Sequence, residues 1–188
     1  MDSISRIAEV RDSCAEPELH KATQRGSQDV ATLVRMHGQP LYYFLLRQCP
    51  ADLAADICQQ SWLRVMEARY QFEGQSSFKT WLFSIARNLL QDEIRRRQRW
   101  RWFHEPVEPE AAEQPELELQ LAQEQQRFRR ANAGLPRVQR EALLLQLEGF
   151  SLMAISDICQ VGQETIKSRL RYAKTAMAQQ LGVDHEQA

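Results

Sequence analysis

Glycine and proline are sparse, seven of each in 188 residues, and nowhere do apolar and polar residues alternate long enough to line one face of a strand. A hairpin-rich sandwich or barrel is excluded, and the chain reads as all-α. Histidine is scarcer still. His20, His37, His104 and His185 are dispersed, with neither metal-ligand spacing nor a nucleophile–base pairing, so an enzyme finds no support and no cofactor or metal is expected. The four cysteines, Cys14, Cys49, Cys58 and Cys159, form no C-x-x-C. They read as reduced thiols, Cys58 and Cys159 in helical cores, with a redox pair between Cys49 and Cys58 as the alternative. No apolar run reaches the length of a membrane span and no signal-peptide core stands near the N-terminus. A cytoplasmic protein without membrane insertion is expected. A dominant charge is also missing: the formal net charge is −1, so global electrostatics name no partner.

The distribution of charge says more than the sum. Residues 78–102 carry Lys79, Arg87, Arg95, Arg96, Arg97, Arg99 and Arg101 against Asp92 and Glu93, whereas 103–126 carry seven glutamates and no Lys or Arg. Two basic blocks therefore flank an acidic divider. Residues 1–28 are weakly patterned and read as a mobile extension. A first helical module spans 29–102, with helices expected near 29–49, 52–70 and from 78 onward. The first could be interrupted near Gly38-Gln39-Pro40. Residues 103–116 are acidic and proline-bearing without hydrophobic periodicity, and read as a flexible linker. A second module spans 117–182, where Gly134 and Gly149 close helices and Pro136 opens one.

Within the first module, Phe78, Trp81, Leu82, Ile85, Ala86, Leu89 and Leu90 form one apolar stripe. The opposite face reads Thr80, Ser84, Arg87, Gln91 and Arg95, with Asn88 on its flank. Cations at a helix C-terminus favour the macrodipole. Capping needs one or two, though, whereas residues 95–102 hold five arginines and two tryptophans. Charges for phosphates beside flat rings for bases point to nucleic acid, against a merely solvated basic face. On 52–70, Asp52, Asp56, Gln59, Gln60 and Glu67 surround Leu63. That pattern fits either an exposed leucine of no consequence or the apolar centre and polar rim of a protein contact. Near the C-terminus, SLMAISDIC and QETIKSRLRYAKTAMAQQL resemble a helix-turn-helix. Ile166, Leu170, Ala173 and Met177 make its buried stripe, while Glu164, Lys167, Ser168 and Arg171 project outward as base-reading residues do.

The stretch DICQQSWLRVMEARYQFEGQSSFKTWLFSIARNLLQDEIRRRQR resembles domain 2 of the extracytoplasmic-function (ECF) sigma factors of bacterial RNA polymerase. LPRVQREALLLQLEGFSLMAISDICQVGQETIKSRLRYAK resembles their domain 4. The resemblance implies two small helical domains and a promoter-specificity subunit. Core polymerase would be held through Asp52, Asp56, Gln59, Gln60, Leu63 and Glu67 on the β′ clamp helices, with further contact to the β subunit. The −10 element would be read and melted by Gln75, Ser76, Ser77, Phe78, Thr80, Ser84, Arg87, Asn88, Gln91, Arg95, Arg96 and Arg97, a flipped base being held by the loop before Phe78. The −35 element would be read by Gln163, Glu164, Thr165, Lys167, Ser168, Arg169 and Arg171. An anti-sigma factor is an expected partner. Gln160 stands where the family usually has a turn glycine, so a left-handed residue is expected there at some cost. Met153, Ala154 and Tyr172 depart from the more usual charged residues and bear on the −35 phosphate contacts. The competing class is a stand-alone helix-turn-helix regulator, which would need no polymerase-binding face.

Overall fold

A computed structural model describes residues 27–68, 76–101 and 119–181. Residues 1–26 of the expected extension, Gln75 of the loop, the acidic linker and Trp102 lie outside the described residues, as does the side chain of Trp100, while Ser27 and Gln28, expected in the extension, begin the first helix. All regular elements among the described residues are α-helices: α1 (Ser27–Leu46), α2 (Ala51–Ala68), α3 (Phe78–Arg101), α4 (Leu119–Gly134), α5 (Arg137–Leu147), α6 (Leu152–Cys159) and α7 (Gln163–Leu181).

Helix α1 runs unbroken through Pro40, where the sequence leaves an interruption open. Proline forfeits one backbone hydrogen bond. Directly after it, Leu41, Phe44 and Leu45 are wholly buried, and that burial holds the helix across the defect. Pro50 then starts α2 by accepting from the Ala54 N–H at 2.9 Å. Ser61, the buried hydroxyl of α2, is satisfied by donating to the Ile57 carbonyl at 2.6 Å.

The turns of the C-terminal half follow helix-capping chemistry. Helix α5 ends with Phe150 N–H donating to Leu145 O and Gly149 N–H to Gln146 O. This is the paired Schellman arrangement, and Gly149 supplies its positive φ of 87°. Helix α6 is capped by the Ser151 hydroxyl, which accepts from the Ala154 N–H. It ends in the same bond pattern: Val161 N–H to Ser156 O and Gln160 N–H to Asp157 O. Gln160 takes φ 55° and ψ 44°, the left-handed conformation expected from its position.

Helix α2 packs on α1 and α3; α7 packs on α4, α5 and α6; and α3 packs on α6. That last contact joins the two halves of the chain. Leu33, Phe44, Ile57, Leu82 and Phe83 share one continuous core with Leu144, Phe150, Ile155, Ile158 and Ile166. A second, smaller cluster holds Ala131, Leu135, Leu143, Ala173 and Met177 between α4, α5 and α7.

Candidate nucleic-acid and partner interfaces

On α2 the core side is Leu53, Ala54, Ile57, Ser61 and Val65. Helical periodicity therefore turns Asp52, Asp56, Gln59, Gln60, Leu63 and Glu67 outward, and all six are exposed. Leu63 and Met66 each retain 51% of their accessible surface. Two large apolar side chains stand side by side within a rim of carboxylates and amides. Met66 was not singled out from the sequence, although it lies three residues beyond Leu63 and so on the same face. Arg64 pairs with Glu67 at 3.5 Å across this rim.

The start of α3 is built by Ser77. Its hydroxyl accepts from the Thr80 N–H at 3.1 Å and shares a 2.9 Å hydrogen bond with the Thr80 hydroxyl. That is an N-cap interaction, so Ser77 has a local structural duty besides any toward a base. Ser76 donates at 3.4 Å to the Ser77 carbonyl. Phe78 enters the core, touching the rings of Trp62 and Trp81.

The polar face of α3 is divided. Asn88, Arg95, Arg96 and Arg97 are exposed, whereas Ser84 and Gln91 are partly covered, and Thr80 and Arg87 are buried at 5% and 8% exposure. Arg87 is covered by the other half of the chain. Its Nε donates to Glu141 Oε1 on α5 at 3.0 Å, with both side chains almost fully enclosed. Gln91, its amide oxygen turned toward the guanidinium, adds an acceptor 2.9 Å from the same Nε. Glu141 Oε2 in turn receives the Cys159 thiol at 3.8 Å. Around this pair, Phe83 meets Phe150 edge-on at 4.9 Å. Lys79 Nζ donates to the Glu148 carbonyl at 2.5 Å and lies 4.6 Å from the centre of the Phe150 ring. Arg47, in the turn just after α1, pairs with the Glu148 carboxylate at 3.4 Å. A helical face read from sequence as open thus has its middle inside the protein. Phe83, Glu141 and Phe150 were missed because no local pattern links residues so far apart in the chain.

The basic tail of α3 carries internal counter-charges. Glu93 accepts from Arg96 Nε and Arg97 Nε, each at 2.7 Å, and Asp92 lies 3.6 Å from Arg95. Hydrogen bonds from Arg96, with Arg97 adding to them, hold the Glu93 carboxyl down at about 2. Glu93 therefore stays ionised at any ordinary pH and orients both guanidiniums.

In the helix-turn-helix, the stripe Ile166, Leu170, Ala173 and Met177 is buried as its spacing requires. Gln163, Glu164, Thr165, Lys167, Ser168 and Arg171 are exposed on the first turns of α7, while Arg169 is half-buried with its Nη1 enclosed and unpartnered. Lys167 reaches back to Glu164 at 2.6 Å. Arg171 lies 5.1 Å from the ring of Tyr172, one of the residues that depart from the family pattern.

Cys49, Cys58 and Cys159 are free thiols. Burial pushes Cys49 and Cys159 up to about 12 and Cys58 upward as well, which leaves little thiolate for exchange. Among the described residues no helix is long and apolar enough to cross a membrane.

Residues 33–100 match the family model of sigma-70 region 2, and residues 125–177 match that of sigma-70 region 4. The ECF RNA polymerase sigma factor EcfG of Rhodopseudomonas palustris is 35% identical over 139 residues, covering 71% of this chain and 74% of the relative. The ECF RNA polymerase sigma factor SigC of Mycobacterium tuberculosis is 27% identical over 157 residues, covering 83% and 85%. Among solved structures, the sigma factor RpoE in complex with the anti-sigma factor NepR from Bartonella quintana aligns at a TM-score of 0.75 and 29% identity, over 85% of this chain and 100% of that one. Both sigma regions stand in order on one chain, and the fold is shared with a sigma factor. This chain belongs to the extracytoplasmic-function group of RNA polymerase sigma-70 factors.

Proposed function

We propose that this protein is the promoter-specificity subunit of an RNA polymerase. It joins the core enzyme through α2, reads a −35 element with α7, and reads and opens a −10 element with α3 and the loop before it. It acts by binding and strand opening, catalyses no reaction itself, needs no cofactor, and works in the cytoplasm beside the polymerase. The observation that carries this reading is the α2 face. Leu63 and Met66 lie exposed among Asp56, Gln59, Gln60 and Glu67 on a helix whose other side already supplies the core, a contact surface of apolar centre and polar rim. A stand-alone regulator has no use for such a face, and the match to region 2 sets that alternative aside. An anti-sigma factor that covers the same surfaces is the expected regulator, in keeping with the structurally similar RpoE solved with one.

The test is run-off transcription with core polymerase and mapping of the 5′ ends, which should give starts at a fixed distance from a shared pair of elements. Leu63→Arg combined with Asp56→Ala should keep wild-type helicity and lose core binding, because a charge at a contact centre costs on the order of 2 kcal/mol or more. Unchanged polymerase affinity in a folded double variant would remove α2 from the interface.

A further inference from the structure

Arg137 is a cation in an unfavourable place. It opens α5, where the helix dipole disfavours positive charge and no side chain caps the end. It is half-buried, and its Nη2 is enclosed without a hydrogen-bond partner. Burial first, with Arg87 and Arg95 adding to it, pulls its pKa down, and Glu141 opposes them only in part. One turn later Arg140 is half-buried too. Its Nη2 donates to the Ala133 and Leu135 carbonyls at 2.6 and 3.0 Å, but its Nε is enclosed and unpartnered. Burial, and then Arg137, lowers its pKa as well.

The neighbouring carboxylates are engaged elsewhere. Asp92 pairs with Arg95 at 3.6 Å, Glu93 with Arg96 and Arg97 at 2.7 Å, and Glu141 with Arg87 at 3.0 Å. Asp52 acts on Cys49, as do Arg97 and Arg137, but its carboxylate is exposed. Among the described residues, Arg137 and Arg140 are thus left together without a carboxylate of their own. A cation withdrawn from water without a counter-charge is costly, and a bound anion removes that cost. We propose that Arg137 and Arg140, with Arg95 of α3 at the rim, form a binding site for a small phosphate-bearing anion. Guanidinium forks match phosphate oxygens two at a time, and two uncompensated cations suit a doubly charged group better than chloride. The enclosed nitrogens are presented as the side chains turn on their flexible stems. Half-buried side chains offer an edge to one phosphate group, not a broad surface to a duplex. Inorganic phosphates and the phosphates of a nucleotide share this chemistry. The site uses no residue assigned to the polymerase or to the −35 element, so its failure would leave the sigma reading untouched.

The experiment titrates the full chain, without polymerase or DNA, with inorganic phosphate, diphosphate and magnesium-free adenosine triphosphate. Binding is read by calorimetry and by melting temperature, against chloride at equal ionic strength. Diphosphate should bind one to one and raise the melting temperature saturably, and chloride should not. Arg137→Gln and Arg140→Gln should each weaken binding about tenfold or more. Arg35→Gln, which removes an exposed cation on α1, should leave it unchanged. Without ligand, Arg137→Gln should melt no lower than wild type, because it sheds an uncompensated charge. Equal affinity for diphosphate and the nucleotide would support the site with a bare phosphate group as ligand, and tighter nucleotide binding would support it with a nucleotide. No binding would overturn the site. Binding that chloride reproduces, or that survives in both arginine variants, would be an adventitious ion only and would overturn it too. If Arg137→Gln loses helicity by circular dichroism, Arg137→Lys, which keeps the charge without the fork, is measured in its place. Loss of helicity there as well would make Arg137 a packing residue and overturn the proposal.

Discussion

His37 shows how a single residue sets a pH response. Its imidazole lies 5.6 Å from the Phe78 ring with Nε2 enclosed and unpartnered. Burial first, and the nearby Lys79 second, hold it down at about 4 against an ordinary 6.5. An unfolded chain takes up this proton near 6.5 and the folded one only near 4. The contribution to stability is thus complete above the unfolded value and declines as pH falls toward the folded one. The melting temperature should slope downward through that window, and His37→Gln should flatten the slope; an unaltered slope would place its origin elsewhere. Ser77 caps α3, a structural duty separate from the one proposed for it toward a base. Ser77→Ala should cost about 1 kcal/mol through the missing cap, whatever it does to DNA. A test of the loop as a strand-opening device should therefore change Gln75 and Ser76 and leave Ser77. That double alanine variant should keep holoenzyme assembly and −35 binding, and lose permanganate reactivity of −10 thymines on duplex promoter. A promoter already unpaired there should recover part of the loss, since unstacking is the unmet cost. Full reactivity on duplex DNA would reduce the loop to a connector.

At the scale of elements, α3 and α7 are both basic but differ in what their cations can do. On α7, Arg171 is exposed, and on the proposed reading it faces a base edge. Arg171→Ala should weaken or relax −35 recognition by about 1–3 kcal/mol, seen as a loss at particular base pairs in a promoter-variant series. On the tail of α3, Arg95, Arg96 and Arg97 fan outward, and two of them are braced by Glu93. Their joint replacement by glutamine should weaken binding to all sequences alike and reduce the salt slope by about 0.9 for each duplex phosphate no longer neutralised. Glu93→Gln should act in the opposite sense, freeing two cations and steepening the slope. Equal slopes for wild type and the triple variant would take these arginines off the phosphates.

At the scale of the whole molecule, the continuous core matters most. Phe83 is fully buried against Phe150, so Phe83→Ala should cost about 3–5 kcal/mol, although the residue belongs to neither the stripe of α3 nor the expected DNA face. With one core running across both halves, wild type should melt in a single calorimetric transition. Glu141→Arg should split it in two, the part holding Ala131, Leu143 and Met177 separating from that holding Phe44, Ile57 and Leu82. A single unsplit transition in the variant would mean that the halves stay joined without the ion pair.

The sequence by itself determined the helices, their ends and their greasy sides. The burial of Ile166, Leu170, Ala173 and Met177, the outward face of α2, the turn at Gly149 and the left-handed Gln160 all follow from spacing within a few residues or from one family position. Local chemistry suffices there, because a helix fixes which side chains share a face and a cap is settled by its own backbone. What covers a face is not local. Arg87 reads as open from its helix because its partner, Glu141, comes from another helix far along the chain, and Phe83 is not singled out because its partner, Phe150, is equally distant in sequence. Only the tertiary structure, by laying α6 against α3 and bringing Glu141 of α5 to Arg87, decided that the polar face of α3 is exposed at its tail and shut at its centre. The physical reason is that burial is a property of the neighbour as much as of the residue.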